Sequence, residues 1–300
     1  MKNSLKPCGH NQSIMEYLTP LRYPGGKSKL VNFMRLIFEE NNLINEQYIE
    51  VYAGGAGVAI HLLFNGYASH IHINDLNESI YAFWRSVLDY TDNLCRLIFD
   101  TPINMNTWLK QKEIQEHPEQ HSILELGFST FFLNRTNRSG ILRGGVIGGK
   151  NQDGLWKLDA RFNKSNLISR IEKISRFSEH ITVYNQDAAD FITEVIPNLP
   201  FQSLIYLDPP YYTKGSDLYE NHYSLEDHIT ISNLVGFMHQ KWIVSYDDTL
   251  TIREIYKRYR NLSYQLNYSA ANHYKGSEIM FFSDNIIIPV VENPAMVKVT

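Results

Sequence analysis

The chain has 300 residues, 43% hydrophobic and 13% aromatic, with 19 Tyr and 15 Phe, so it can bury the core of one large domain or two modest ones and falls outside the disordered and low-complexity classes. Its 28 Lys/Arg and 32 Asp/Glu leave a net charge of −4, which gives no global pull toward polyanions, so a nucleic-acid partner requires a local basic patch. Two cysteines, Cys8 and Cys95, are too few for a disulfide framework or a structural zinc site, and no apolar run is long enough for a membrane span or a signal peptide, so a soluble cytoplasmic protein is expected.

At the start, Cys8-Gly9-His10 has no further metal-ligand partners and reads as a loose terminus. Arg22-Tyr23-Pro24-Gly25-Gly26-Lys27-Ser28 invites a phosphate-loop reading, but Leu21 stands where that motif needs its first Gly, and the segment precedes the first strong strand. From residue 48 strands and helices alternate. A strand over 48–52 leads into the small-residue turn Ala53-Gly54-Gly55-Ala56-Gly57, a helix runs to about Phe64, and a second strand over 70–73 ends in Asn74-Asp75 before a helix near Glu78, which makes a βαβ unit. The alternation resumes with a strand over 181–184 ending at Asp187, a short helix to Pro197, and a strand over 204–207 stopped by Asp208-Pro209-Pro210. Ser224 then caps a helix to about Gln240, and strands over 242–245, 262–268 and 278–283 complete the series.

Over 85–178 the strand signal disappears and the pattern turns helical, then Gly-rich and basic. Residues 131–176 hold ten Lys/Arg against three acids, a local excess of +7 that leaves −11 elsewhere. The expected layout is therefore an α/β, Rossmann-like catalytic domain in two parts, 1–84 and 179–300, with a helical insertion over 85–178.

Beside the Arg22–Ser28 segment, two further motifs carry chemistry. The Gly54–Gly57 turn lets backbone approach a ligand closely, and Asp75, ending the next strand, is placed to accept from ribose hydroxyls. The strict dinucleotide glycine spacing is absent, so a nucleoside-containing ligand and a merely tight turn both remain open. Asp208-Pro209-Pro210-Tyr211 is the sharpest signal. It ends a buried strand, where open α/β sheets place ligands. Its carboxylate and proline carbonyls offer acceptors only, and Tyr211 offers a flat ring for a base. Acceptors beside an aromatic face suit an exocyclic nucleobase amine; a proline-stiffened strand end with a surface Tyr is the alternative.

In this order the motifs resemble the Dam-like (D12, α-group) DNA adenine-N6 methyltransferases. The resemblance covers 22–27, 50–58, Asn74-Asp75, Phe132-Leu133-Asn134-Arg135 and 208–211, with weaker similarity over 243–249. It implies that Tyr23 and Lys27 contact S-adenosyl-L-methionine (AdoMet), that Tyr52, Gly54, Gly55 and Gly57 wrap its methionine part, that Asp75 holds its ribose and Asp187 its adenine. It further implies that Asp208 and the Pro209 carbonyl hold the target N6 amine of a flipped base, with Pro210 stiffening the turn and Tyr211 stacked on the base, and that no metal is needed. The basic insertion becomes the target-recognition region on double-stranded DNA, with Arg135, Arg138, Arg143 and Lys150 as candidate phosphate or base contacts and a solvated charged face as the alternative for each. The Tyr-rich segment 213–223 is either a flap over the flipped base or an ordinary loop. The sequence departs from the family at Val51, at Ala56 and at Ser245-Tyr246-Asp247-Asp248-Thr249, and its recognition segment differs from that of the GATC-specific enzymes, so the target sequence does not carry over. Family analogy places such a protein in a restriction–modification or defence system, with a cognate endonuclease or defence partner, or working alone. The rivals are a cytosine-N4 or RNA adenine methyltransferase and a catalytically silent AdoMet- or DNA-binding module.

Overall fold

The computed structural model describes residues 18–22, 27–212, 223–268 and 274–298. Helix α1 (Val31–Glu40) precedes strand β1 (Glu46–Glu50), helix α2 (Gly57–Phe64) and strand β2 (Ala68–Asn74). Five helices follow: α3 (Glu78–Asp89), α4 (Thr91–Asp100), α5 (Met105–Glu116), α6 (Ile123–Thr136) and α7 (Lys164–Ser175). The chain then returns to β3 (Ile181–Tyr184), the short α8 (Ala188–Asp190), β4 (Leu204–Leu207), α9 (Leu225–Val235), β5 (Lys241–Asp247), α10 (Leu250–Ile255), β6 (Arg260–Tyr268) and β7 (Tyr274–Phe282).

The strands form one seven-stranded sheet in the order β3-β2-β1-β4-β5-β7-β6. The first five are parallel, and β7 lies antiparallel between β5 and β6. Strands with two covered faces read as continuous apolar runs, because successive side chains feed opposite cores. Tyr48, Leu204, Tyr206 and Ile243 join the cluster containing α1, α2 and the inserted helices, while Ile49, Ile205, Leu207, Trp242 and Val244 join the cluster on the other face. Strand order reverses between β1 and β4, so the crevice beyond their carboxyl ends is where an open α/β sheet binds its ligand.

The expected elements are present with shifted ends. Strand β1 stops at Glu50, although the Val51 amide still donates to the Tyr206 carbonyl at 3.1 Å. The helix expected to end at Pro197 is instead α8, a wide π-type turn over Phe191–Val195 and a 3₁₀ turn over Ile196–Asn198. Ser224 caps α9 through a reciprocal capping box with Asp227. Helix α9 ends at Val235 rather than Gln240, because three-residue bonds from Gly236, Phe237 and Met238 unwind it toward β5. The N-terminal helix α1 was not among the expected elements.

The strand-free stretch begins at α3, which runs through residues 84 and 85 and is capped by the Asn77 side chain on the Ser79 and Ile80 amides. Phe83, Phe131, Phe132 and Phe162 from this stretch belong to the same cluster as Tyr48 and Ile71 of the sheet. This helical stretch is thus packed onto the sheet by shared apolar burial.

Gly127 lies at the α3–α6 crossing, where an added Cβ would sit 2.6 Å from the Ala82 carbonyl and 2.2 Å from Ser86 Oγ. Gly127→Ala is expected to cost about 1–3 kcal/mol by overpacking, read as a lowered midpoint in chemical denaturation.

Candidate active site and DNA interface

The carboxyl ends of β1, β2 and β3 are tied to one another by side chains. Asn74, fully buried at the end of β2, donates to the Val51 carbonyl at 3.1 Å and the Gln186 carbonyl at 3.0 Å, and its Oδ1 accepts from the Gln186 amide at 3.0 Å. The next residue, Asp75, accepts from the Gly54 amide on Oδ2 at 2.8 Å and from the Asn77 amide on Oδ1 at 2.9 Å. Burial pushes Asp75 up to about 6, against those two amide bonds. Gly54 is further held by Trp84 Nε1 on its carbonyl at 2.9 Å. The turn therefore has a fixed shape, with Gly54 at φ +48° and Ala56 at φ +46° as the cap of α2. A left-handed alanine is strained.

Glu50, buried at the end of β1, accepts from the Ala59 amide at 3.0 Å and from Tyr48 Oη at 3.2 Å, so it fixes the start of α2 from below. Burial pushes Glu50 up to about 8. At the end of β3, Asp187 caps the following turn by accepting from the Ala189 amide at 2.8 Å. Beside it, Gln186 Oε1 is buried without a hydrogen-bond partner. Tyr52 meets Tyr223 by a 2.9 Å hydroxyl contact, which joins the end of the Tyr-rich segment to the glycine turn.

At the end of β4, Asp208 Oδ1 meets Lys27 Nζ at 3.0 Å and accepts from Ser245 Oγ at 2.9 Å, and Ser245 Oγ also contacts Tyr206 Oη at 2.7 Å. Both of these partners take Oδ1. Lys27 Nζ donates as well to Tyr211 Oη at 2.7 Å and to Glu278 Oε1 at 3.3 Å. Tyr211 Oη in turn donates to Glu278 Oε1 at 2.5 Å, and Tyr264 Oη donates to Glu278 Oε2. Burial alone would lower the Lys27 pKa, but Asp208 and Glu278 hold it well above the usual lysine range, so the ammonium persists. Pro209, Pro210 and Tyr211 are buried. The Tyr211 ring packs under Lys27, 4.9 Å from its centroid, so its hydroxyl and one face are engaged within the protein.

The structure brings Lys27, Gly54, Gly55, Gly57, Asp75, Asp187 and Asp208 to one end of the sheet. Tyr23, Cys8-Gly9-His10 and 213–222 of the Tyr-rich segment lie outside the described residues. Glu50, Tyr206, Tyr264 and Glu278 were not singled out from sequence, and Ser245 was named only within a departure from the family pattern. The signal that could have found two of them is a carboxylate inside or at the start of an apolar strand run, at 50 and at 278. No group of three or more His, Cys, Asp or Glu able to hold a metal occurs among the described residues.

The basic candidates divide by exposure. Arg138, Arg143 and Lys150 are exposed on the Gly-rich segment after α6. That segment is held by Asn137, whose Nδ2 donates to the Ile141 and Leu142 carbonyls at 2.9 Å and whose Oδ1 accepts from Trp108 Nε1 at 2.7 Å. Arg135 is only 8% exposed, and its Nε has no partner. Burial, then repulsion from Arg170, Arg22 and Arg161, pulls its guanidinium down to about 9. Asn134 pins Arg22 beside it, with Oδ1 accepting from the Arg22 amide and Nδ2 donating to its carbonyl, both at 2.7 Å.

Residues 23–270 match the family model of the D12 class N6 adenine-specific DNA methyltransferases. The chain belongs to that family. Among curated proteins, the type II methyltransferase M.CviBI of Paramecium bursaria Chlorella virus NC1A is 23% identical over 229 residues, covering 75% of this chain and 82% of the viral protein. Solved structures with similar folds include a type I restriction-modification methyltransferase subunit from Streptococcus thermophilus (TM-score 0.38, 10% identity, 89% of this chain and 46% of that one). Another is M. capricolum TrmK bound to S-adenosyl-homocysteine (TM-score 0.35, 9% identity, 86% and 70%). Family membership rests on the 23–270 match and not on these likenesses.

Glu50 supplies a pH test. Its folded value near 8 exceeds the ordinary 4.5, so the folded chain binds the extra proton and loses stability as pH rises between those values. In chemical denaturation, Glu50→Gln is expected to match the native chain near pH 5 and to be the more stable of the two above pH 8. Parallel curves would contradict the assignment.

Proposed function

We propose that this methyltransferase carries a methyl group from AdoMet to the N6 amine of an adenine flipped out of double-stranded DNA. The observation that carries the reading is the Asp208 carboxylate. It sits at the switch point of the sheet, its Oδ1 taken by Lys27 and Ser245, and it is followed by Pro209, which has no N–H to donate and offers only its carbonyl as an acceptor.

The residues at this end of the sheet fit AdoMet. Asp75 presents a carboxylate beside the Gly54 turn for a ribose diol, and the partnerless Gln186 Oε1 beside Asp187 suits an adenine amino group. When bound there, AdoMet supplies a methyl carbon activated by its sulfonium. The protein's part is orientation and electrostatics. The N6 lone pair is delocalised into the ring and is a poor nucleophile. Acceptance of its N–H bonds by Asp208 and the Pro209 carbonyl pyramidalises the nitrogen and aims the lone pair. Asp208, already accepting from that N–H, would take the proton that N6 releases as the methyl carbon of AdoMet passes to it and S-adenosyl-homocysteine leaves. A base stacked in a duplex cannot reach this corner, which is why the reading includes flipping.

Arg135, Arg138, Arg143 and Lys150 are assigned to DNA. The exposed three suit groove or backbone contacts. Arg135, buried among like charges, suits an anion that would relieve the repulsion, as a phosphodiester would. The viral relative's designation as a type II methyltransferase supports a restriction–modification setting, in which a cognate endonuclease is the partner.

Asp208→Ala is expected to abolish measurable methyl transfer to DNA while leaving AdoMet affinity within about threefold, because the carboxylate serves the amine and not the cofactor. Full transfer by that variant would contradict the mechanism. Neutralising Arg138 and Arg143 together is expected to weaken DNA binding and reduce its salt-dependence slope by about 0.9 for each phosphate that the protein no longer neutralises. An unchanged slope would place the DNA elsewhere.

A further inference from the structure

Glu278 stands on β7 opposite Asp247 of β5 and Tyr264 of β6, fully buried at 0% exposure. A carboxylate taken out of water costs several kcal/mol, and its neighbours Ile279, Met280, Phe281 and Phe282 show that an apolar side chain would pack there. Among the described residues its oxygens accept from Lys27 Nζ, Tyr211 Oη and Tyr264 Oη. Two of these belong to the site: Tyr211 lies in the Asp208 motif, and Lys27 contacts Asp208 directly.

Lys27 Nζ has three N–H bonds and three acceptors, namely Asp208 Oδ1, Tyr211 Oη and Glu278 Oε1. The ammonium is thereby held at one oxygen of Asp208. We propose that Glu278 is a positioning residue of the methyl-transfer site: it anchors Lys27 and Tyr211 from β7, keeps Lys27 on Oδ1 of Asp208, and so leaves Oδ2 for the substrate amine. The inference rests on the reading that Asp208 meets the amine. One cation between two carboxylates also leaves the corner with one net negative charge, the sign that stabilises positive charge building on the amine nitrogen.

Without the Glu278 charge, Asp208 is the one anion left in contact with Lys27 among the described residues, and both of its oxygens attract the ammonium. The amine then competes with Lys27 for its acceptor. Glu278→Gln in the full chain is expected to lower kcat about 10–100-fold, the scale of an ångström-sized misplacement. KM for DNA and AdoMet affinity should stay within about threefold. Glu278→Asp, which restores the charge, should recover part of the loss. In a Lys27→Met background, Glu278→Gln should add less than about twofold, because its effect passes through Lys27. Unchanged kcat in Glu278→Gln, or losses that multiply in the double variant, would overturn the proposal. Should Glu278→Gln not fold, Tyr264→Phe removes one donor from Oε2 and is expected to give a smaller fall in kcat; no fall overturns the proposal.

A readout independent of turnover is the side-chain NMR resonance of Lys27 in 13Cε-lysine-labelled protein. It is expected to titrate at lower pH in Glu278→Gln than in the native chain, and identical titration would remove the anchoring. If the native chain transfers no methyl to DNA, the functional reading fails, while the NMR comparison still decides whether Glu278 governs Lys27.

Discussion

A lysine ammonium buried between two carboxylates holds together the corner at the end of β4 where the proposed chemistry is placed. Lys27 comes from the turn before α1, Asp208 from the end of β4 and Glu278 from β7. Charges of this kind are tolerated in a protein interior only when each has a partner of good geometry. Here each carboxylate also accepts hydroxyl donors, Ser245 for Asp208 and Tyr211 and Tyr264 for Glu278. Removing Lys27 strands both carboxylates, whereas removing either carboxylate leaves the ammonium on the other, so the three distant segments are joined through Lys27. Their assembly places an oriented carboxylate beside the point where strand order reverses.

The rest of the sheet serves the same end by different means. Asn74 and Asp75 direct their hydrogen bonds to the backbone of neighbouring loops rather than to side chains. Those bonds give the Gly54 turn a fixed shape before any ligand arrives, and preorganisation of this sort lowers the cost of binding. The inserted helices are fastened to the sheet through the cluster of Phe83, Phe131, Phe132 and Phe162. The basic Gly-rich segment after α6 is consequently carried at a set position relative to Asp208.

Much of this was legible in the sequence because it is local. A strand buried on both faces gives an unbroken apolar run, a capping serine and its acid lie three residues apart, and a proline pair marks a strand end. These signals located β2 to β5, α9 and the Asp208 motif. The DNA-methyltransferase family was legible too, from the order of three motifs. What stayed hidden is non-local. Glu278 lies 251 residues from Lys27 and 67 from Tyr211, and nothing in the strand around it announces a partner. Arg135 shows the same limit. Composition counted it with the exposed arginines of the insertion, whereas α6 carries it inward beside Arg22 and Arg170. The irregular helix after Asp187 escaped because wide and tight turns follow from packing against the sheet rather than from residue spacing.

The central claim, an adenine amine held by Asp208 for methyl transfer, is tested most directly by incubating the protein with labelled AdoMet and unmethylated DNA and analysing the digested nucleosides. The account predicts label in N6-methyladenine. Label in N4-methylcytosine, or AdoMet binding with no transfer to DNA, would contradict it.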